Sequence, residues 1–149
     1  MKAIVQDRYG SPDVLQLRDI DKPVVKDDEV LVRVHAAAVN IGDWHLLRGL
    51  PYIMRMVVGL LRPKREIPGL DLAGRVEAVG TNVNEFRPGD EVFGWCKGAF
   101  AEYACTAENN LLAKPANLTF EQSAAVGAPR LPPSMPFAIR GRCSRGTGC

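Results

Sequence analysis

Three side chains stand out as able to do chemistry: Asn40, Asp43 and Tyr52. An amide donates and accepts hydrogen bonds at once, a carboxyl can relay a proton, and a phenol can donate to an oxygen on which negative charge develops. Each also has a structural reading. Asn40 follows an apolar run and suits the turn that closes a strand. Asp43 suits the cap of the helix that follows it, and Tyr52 suits packing as an amphipathic aromatic. The two histidines stand alone, His35 alternating with strand valines and His45 inside a short helical stretch, which fits surface or packing positions. The four cysteines, Cys96, Cys105, Cys143 and Cys149, form no Cys-x-x-Cys pair and have no His at ligand spacing. They are expected to be reduced thiols without a metal or disulfide role.

No phosphate-cradling loop accompanies these residues. Gly69, Gly74 and Gly80 are too widely spaced for a dinucleotide fingerprint, and Gly141, Gly146 and Gly148 do not follow a strand. The first three are expected where the backbone turns tightly or approaches another segment closely.

The elements that must position Asn40 and Asp43 are mostly short strands. Lys2 to Gln6 and Leu15 to Ile20 read as strands between turn residues. Glu29 to Ala37 alternates Val30, Val32 and Val34 with Leu31, Arg33 and His35, as a longer strand with one face to the core does. Asp43 to Arg48, closed by Gly49, has the length of a short helix, with Asp43 in the capping position. Gly69 to Gly80, Asp90 to Gly94, Ala99 to Cys105 and Asn110 to Ala113 read as further strands, divided by Gly80-Thr81-Asn82 and Pro88-Gly89-Asp90. Glu121 to Val126 starts a helix after a Thr119 cap. This spacing predicts a curled, partly closed antiparallel barrel.

At 149 residues the chain can bury one real core and is too short for two ordinary domains. Its 46% hydrophobic and 24% charged residues are those of a soluble globular protein, and a net charge of +2 gives no reason to expect a nucleic-acid partner. No charged-then-apolar leader opens the chain. The most apolar window, Tyr52 to Leu61, is broken by Arg55 and is about half the length of a membrane span. A cytoplasmic location without membrane contact is the expectation.

The block from Gly69 to Gly94, with Ala37-Ala38-Val39-Asn40, Asp43-Trp44, Arg48-Gly49, Gly98-Ala99-Phe100-Ala101-Glu102-Tyr103 and Ala124-Ala125-Val126, resembles the catalytic domain of the medium-chain dehydrogenase/reductase superfamily over Met1 to Val126. The resemblance implies a mainly β, GroES-like fold, a β-rich α+β arrangement with a partly open barrel and short helices. In zinc-dependent alcohol dehydrogenases of this superfamily a catalytic Cys occupies the place of Asn40 and a zinc-bound His that of Leu70. Only Trp95, Cys96 and Lys97 separate Gly94 from Gly98, which leaves no room for their four-cysteine structural zinc lobe. The chain is therefore similar to the zinc-free quinone oxidoreductase and enone reductase branch. That branch implies an NAD(P)H cofactor, NADP by family weight, no zinc, a small quinone or conjugated enone substrate, and full-length relatives that form homo-oligomers. It places Asn40 against the nicotinamide end of the cofactor and makes Tyr52 and Asp43 candidates for the proton transfer. A second reading, from another class, is a non-catalytic interaction module using the barrel surface and a basic tail.

The Rossmann domain that follows this segment in the family is absent, so the chain alone is expected to be inactive. Residues 127 to 149 are expected to be a disordered tail: Pro129, Pro132, Pro133 and Pro136 forbid regular helix, and Pro129 to Cys149 carries four Arg and no acid. If each codon takes the last base of one residue and the first two of the next, that tail can encode Ala-Leu-Thr-Ala-Leu-His-Ala-Ile-Arg-Asp and then Val-Gln-Pro-Gly, the family's continuation. A frame-shifted origin of the tail is the expectation.

Overall fold

The computed structural model describes residues 1–49 and 67–126. Tyr52, the apolar window around it and the tail beyond Val126 lie outside the described residues. Seven strands, two α-helices and two 3-10 turns make up the rest. The strands are β1 (Lys2–Gln6), β2 (Leu15–Asp19), β3 (Glu29–Ala38), β4 (Asp71–Val79), β5 (Glu91–Trp95), β6 (Tyr103–Ala107) and β7 (Leu111–Ala113); the helices are α1 (Ile41–Arg48) and α2 (Phe120–Val126).

β1 and β2 form an antiparallel ribbon, and the other five strands form one antiparallel sheet in the order β6-β3-β4-β5-β7. Among the described residues the sheets are not closed, so the expected barrel is open there. The long central strands carry the apolar alternation that the sequence shows. Val30, Val32, Leu72, Val76, Val92 and Leu111 turn to one face with Phe86, Cys96, Ala99 and Ala104. Burying each of the fully enclosed Val and Leu side chains contributes about 1.5–3 kcal/mol. On the other face, α2 lays Ala124 over Ala73 and Phe93, with Phe120 beside them. A two-way capping box starts this helix: Thr119 Oγ1 accepts from Gln122 N at 3.2 Å, and Gln122 Oε1 accepts from Thr119 N at 3.0 Å.

β6 begins later than its sequence pattern predicts. Ala99 to Ala101 is apolar and buried or partly buried without belonging to the five-stranded sheet, because its backbone is committed elsewhere. Ala99 N donates to Gly69 O, Phe100 N to Pro68 O, and Phe100 O accepts from Ile4 N at 2.8 Å. A single bridge between Ala3 and Ala101 docks the ribbon there.

Gly74 and Gly69 are among the glycines fixed by geometry. A Cβ on Gly74 would stand 2.1 Å from Arg33 O, so β3 and β4 could not pair as they do with any side chain at that point. Gly69 has φ +100° and turns the chain into β4, with Gly98 N and Ala99 N both donating to its carbonyl.

Candidate functional site

β3 and β4 run together as far as the pair Ala38 and Asp71, where β3 ends. Two residues later Asn40, in extended backbone, caps α1. Asn40 Oδ1 accepts from Gly42 N at 2.7 Å and from Asp43 N at 3.2 Å, while Asp43 Oδ2 accepts from Asn40 N at 2.9 Å. The cap is thus Asn40, whereas the sequence pattern predicts Asp43; Asp43 is the third helical residue and closes the capping box from inside. At its far end α1 stops at Gly49, in the left-handed conformation. The buried Gln6 amide donates to Leu47 O at 2.9 Å and ties that end to β1.

Asn40 makes one more contact: its Nδ2 donates to Asp71 Oδ2 at 2.5 Å. Leu70 reaches the same place. A Cβ on Gly42 would meet Asn40 Oδ1 at 2.9 Å and Leu70 Cδ1 at 3.2 Å, so Asn40 and Leu70 close over the bare Gly42 backbone. The positions that hold Cys and His ligands in the zinc-dependent family therefore do converge here, as an amide and an aliphatic side chain. Among the described residues no group of three or more His, Cys, Asp or Glu is placed to hold a metal ion.

Asp43 is buried, at 5% exposure, and its Oδ1 has no hydrogen-bond partner of ordinary geometry. Burial pushes its carboxyl above the usual carboxylate range. The hydrogen bond from the Asn40 backbone opposes that rise, the charge of Asp71 adds to it, and the nearby Gly69 amide opposes it weakly. Cys96 lies under the same corner, its N–H donating to Leu70 O at 2.8 Å. Its thiol is pushed up to about 12, first by burial and then by Asp71, Asp43 and Cys105. Cys105 rises to about 11, mainly through burial. Both are free and protonated at neutral pH, which leaves them poor nucleophiles.

The structure brings Asn40 and Asp43 into one hydrogen-bonded unit, and Tyr52 lies outside the described residues. Asp71 is the member that sequence reasoning left out of the site. Its signal was present, since Leu70-Asp71 stands where the zinc enzymes have His-Glu. His35 and His45 take packing roles: the His35 ring stacks on Phe120 at 4.5 Å, and His45 sits edge-on to Trp44 at 5.1 Å. Around the cap, Val39, Ile41 and Trp44 are exposed to 77%, 71% and 41%, an apolar rim beside the amide.

Residues 26–116 match the alcohol dehydrogenase GroES-like domain. The chain is 39% identical to the quinone oxidoreductase of Sus scrofa over 139 residues, which cover 87% of this chain and 38% of that protein. Among solved structures, the quinone oxidoreductase from Coxiella burnetii superposes with a TM-score of 0.76 at 30% identity, over 85% of this chain and 41% of the other. The Escherichia coli quinone oxidoreductase complexed with NADPH superposes with a TM-score of 0.72 at 25% identity, over 84% of this chain and 38% of the other. The chain thus spans less than half the length of the relatives it matches. It belongs to the alcohol dehydrogenase GroES-like domain family, and over most of its length it is similar to quinone oxidoreductases.

Proposed function

We propose that residues 1–126 form the substrate-side domain of an NAD(P)H-dependent reductase that acts on a quinone or a conjugated enone without zinc. The observation that carries this reading is the Asn40–Asp71 hydrogen bond beside Leu70, at the positions where zinc-dependent relatives place metal ligands. An amide committed to its neighbours and a leucine are no donor set for zinc. Reducing an isolated ketone concentrates charge on one oxygen, which a Lewis acid stabilises. A conjugated acceptor spreads that charge, so hydrogen-bond donors suffice.

NAD(P)H supplies the hydride when bound; NADP is the form favoured, a quinone oxidoreductase at 25% identity being described as complexed with NADPH. The residues present suit its nicotinamide half: Asn40 offers an N–H donor, and Val39, Ile41 and Trp44 offer an exposed apolar rim for a flat ring. Asp43 holds the Asn40 backbone and with it the start of α1, and Tyr52 is the proposed proton donor to the substrate oxygen. The substrate is a small molecule in a cytoplasmic protein, and full-length forms associate as homo-oligomers. Turnover requires a pyrophosphate-binding half alongside residues 1–126. Its tail from residue 127 is the family's continuation read one base out of frame, which a clean gene sequence through the Gly127 codon with no shift would refute.

The test is a graft in which residues 1–126 replace the matching segment of the Escherichia coli quinone oxidoreductase. NADPH consumption is expected with benzoquinone and not with cyclohexanone, unchanged by a chelator. A folded graft that reduces cyclohexanone, or that needs added zinc, would overturn the reading.

A further inference from the structure

The lone pairs and protons of the Asn40 side chain are almost all committed. Its Oδ1 takes two backbone N–H groups at the start of α1, which uses both acceptor positions of an amide oxygen. Its Nδ2 gives one proton to Asp71. The opposite assignment of the amide is ruled out by its neighbours, because it would set an NH2 against two N–H groups and an oxygen against a carboxylate. One N–H remains. Asn40 is half-buried at the edge of the apolar rim, so that remaining proton is the polar group it can offer to a ligand.

We propose that Asp71 is a positioning residue: it anchors Asn40 Nδ2 so that the side chain meets a ligand with one N–H and no lone pair, selecting a hydroxyl or carboxamide oxygen. The inference rests on the assignment of Asn40 to the nicotinamide half of the cofactor. It narrows the role of that residue, since an amide free to rotate could donate or accept. Three features act together. The cap fixes Oδ1, the Asp71 carboxylate fixes Nδ2, and the pairing of Ala38 with Asp71 fixes the spacing between the two anchors. Asp71 also pairs with Trp95 across β5, so the carboxylate stands on the central strand of the sheet and not on a loop. A rigid anchor of this kind lowers the ordering cost of a directed hydrogen bond.

The test is side-chain amide NMR on the full 149-residue chain labelled with nitrogen-15. One Asn40 Nδ2 proton is expected to exchange at least about tenfold more slowly than in Asp71→Leu, as a bond to a charged acceptor should give. Asp71→Asn is expected to lose most of that protection and Asp71→Glu to recover part of it; this pair decides the matter if Asp71→Leu does not fold. Equal protection in wild type and Asp71→Asn would overturn the proposal. Nicotinamide riboside, with hydroxyl and carboxamide oxygens, is then titrated as the probe. The other Asn40 Nδ2 proton is expected to shift in wild type and to saturate at several-fold higher probe in Asp71→Asn. Identical titrations in the two proteins would overturn the positioning role. Normal protection with no response in either protein would leave the anchor standing and reject the assignment of Asn40 to the cofactor.

Discussion

Asn40 Nδ2 donates to Asp71 Oδ2, joining the residue that caps α1 to the first residue of β4, 31 positions away in the sequence. The contact makes one structural unit of the end of the sheet and the start of the helix. It also occupies, with Leu70, the corner where the zinc-dependent branch of the family assembles its metal site. The same side chain therefore serves the fold through its oxygen and remains available to chemistry through one proton.

Two substitutions at Asn40 separate its roles. Asn40→Ala removes the cap and the contact with Asp71 and should cost about 1–2 kcal/mol in urea unfolding. Asn40→Asp keeps an equally good cap but sets a carboxylate against Asp71 and near Asp43. It should be destabilised at about pH 7 and recover toward wild type near pH 4, where carboxylates protonate. A pH-independent Asn40→Asp variant as stable as wild type would mean that the Asp71 contact has no weight.

Asp43 sets a pH dependence whose sign follows from its burial. Its folded-state carboxyl titrates above the unfolded value, so the folded chain holds this proton where the unfolded chain has lost it. This group's contribution is least unfavourable below the unfolded value, near pH 4, and worsens as pH rises through the raised folded value. Asp43→Asn keeps an acceptor for Asn40 N and does not titrate. The melting temperature of wild type relative to this variant should fall between about pH 4 and pH 7; a relative rise over that range contradicts the assignment.

How much of this was legible beforehand varies with how local the cause is. The strands β1 to β5 and β7 fall within one or two residues of their expected limits, because alternating Val and Leu between Gly, Pro and Asp turns is a local signal. The helix caps were half legible. The local pattern shows the Thr119 cap, whereas for α1 it points to Asp43 although Asn40 and Asp43 stand at capping-box spacing. β6 was expected at Ala99 to Cys105 and runs over Tyr103–Ala107, since the backbone of Ala99 and Phe100 is used by Pro68, Gly69 and Ile4, partners that no local window contains. Asp71 was missed for the same kind of reason: its meeting with Asn40 depends on the register of β3 against β4.

Gly74 tests that register. A methyl group there would lie 2.1 Å from the Arg33 carbonyl, between two central strands with no flexible side chain to yield. Gly74→Ala should cost roughly 2–4 kcal/mol and, by shifting β4 against β3, should also weaken the protection of the Asn40 side-chain amide. Loss of stability without any change at Asn40 would show that the cap and the strand register are independent.

The most direct measurement is a crystal structure of the grafted reductase, residues 1–126 joined to the cofactor-binding half of a relative, with NADPH bound. Asn40 Nδ2 should lie within hydrogen-bond distance of an oxygen in the nicotinamide-ribose half of the cofactor, while still donating to Asp71. Cofactor bound with that half away from the start of α1, or an Asn40 side chain released from Asp71, would contradict the account.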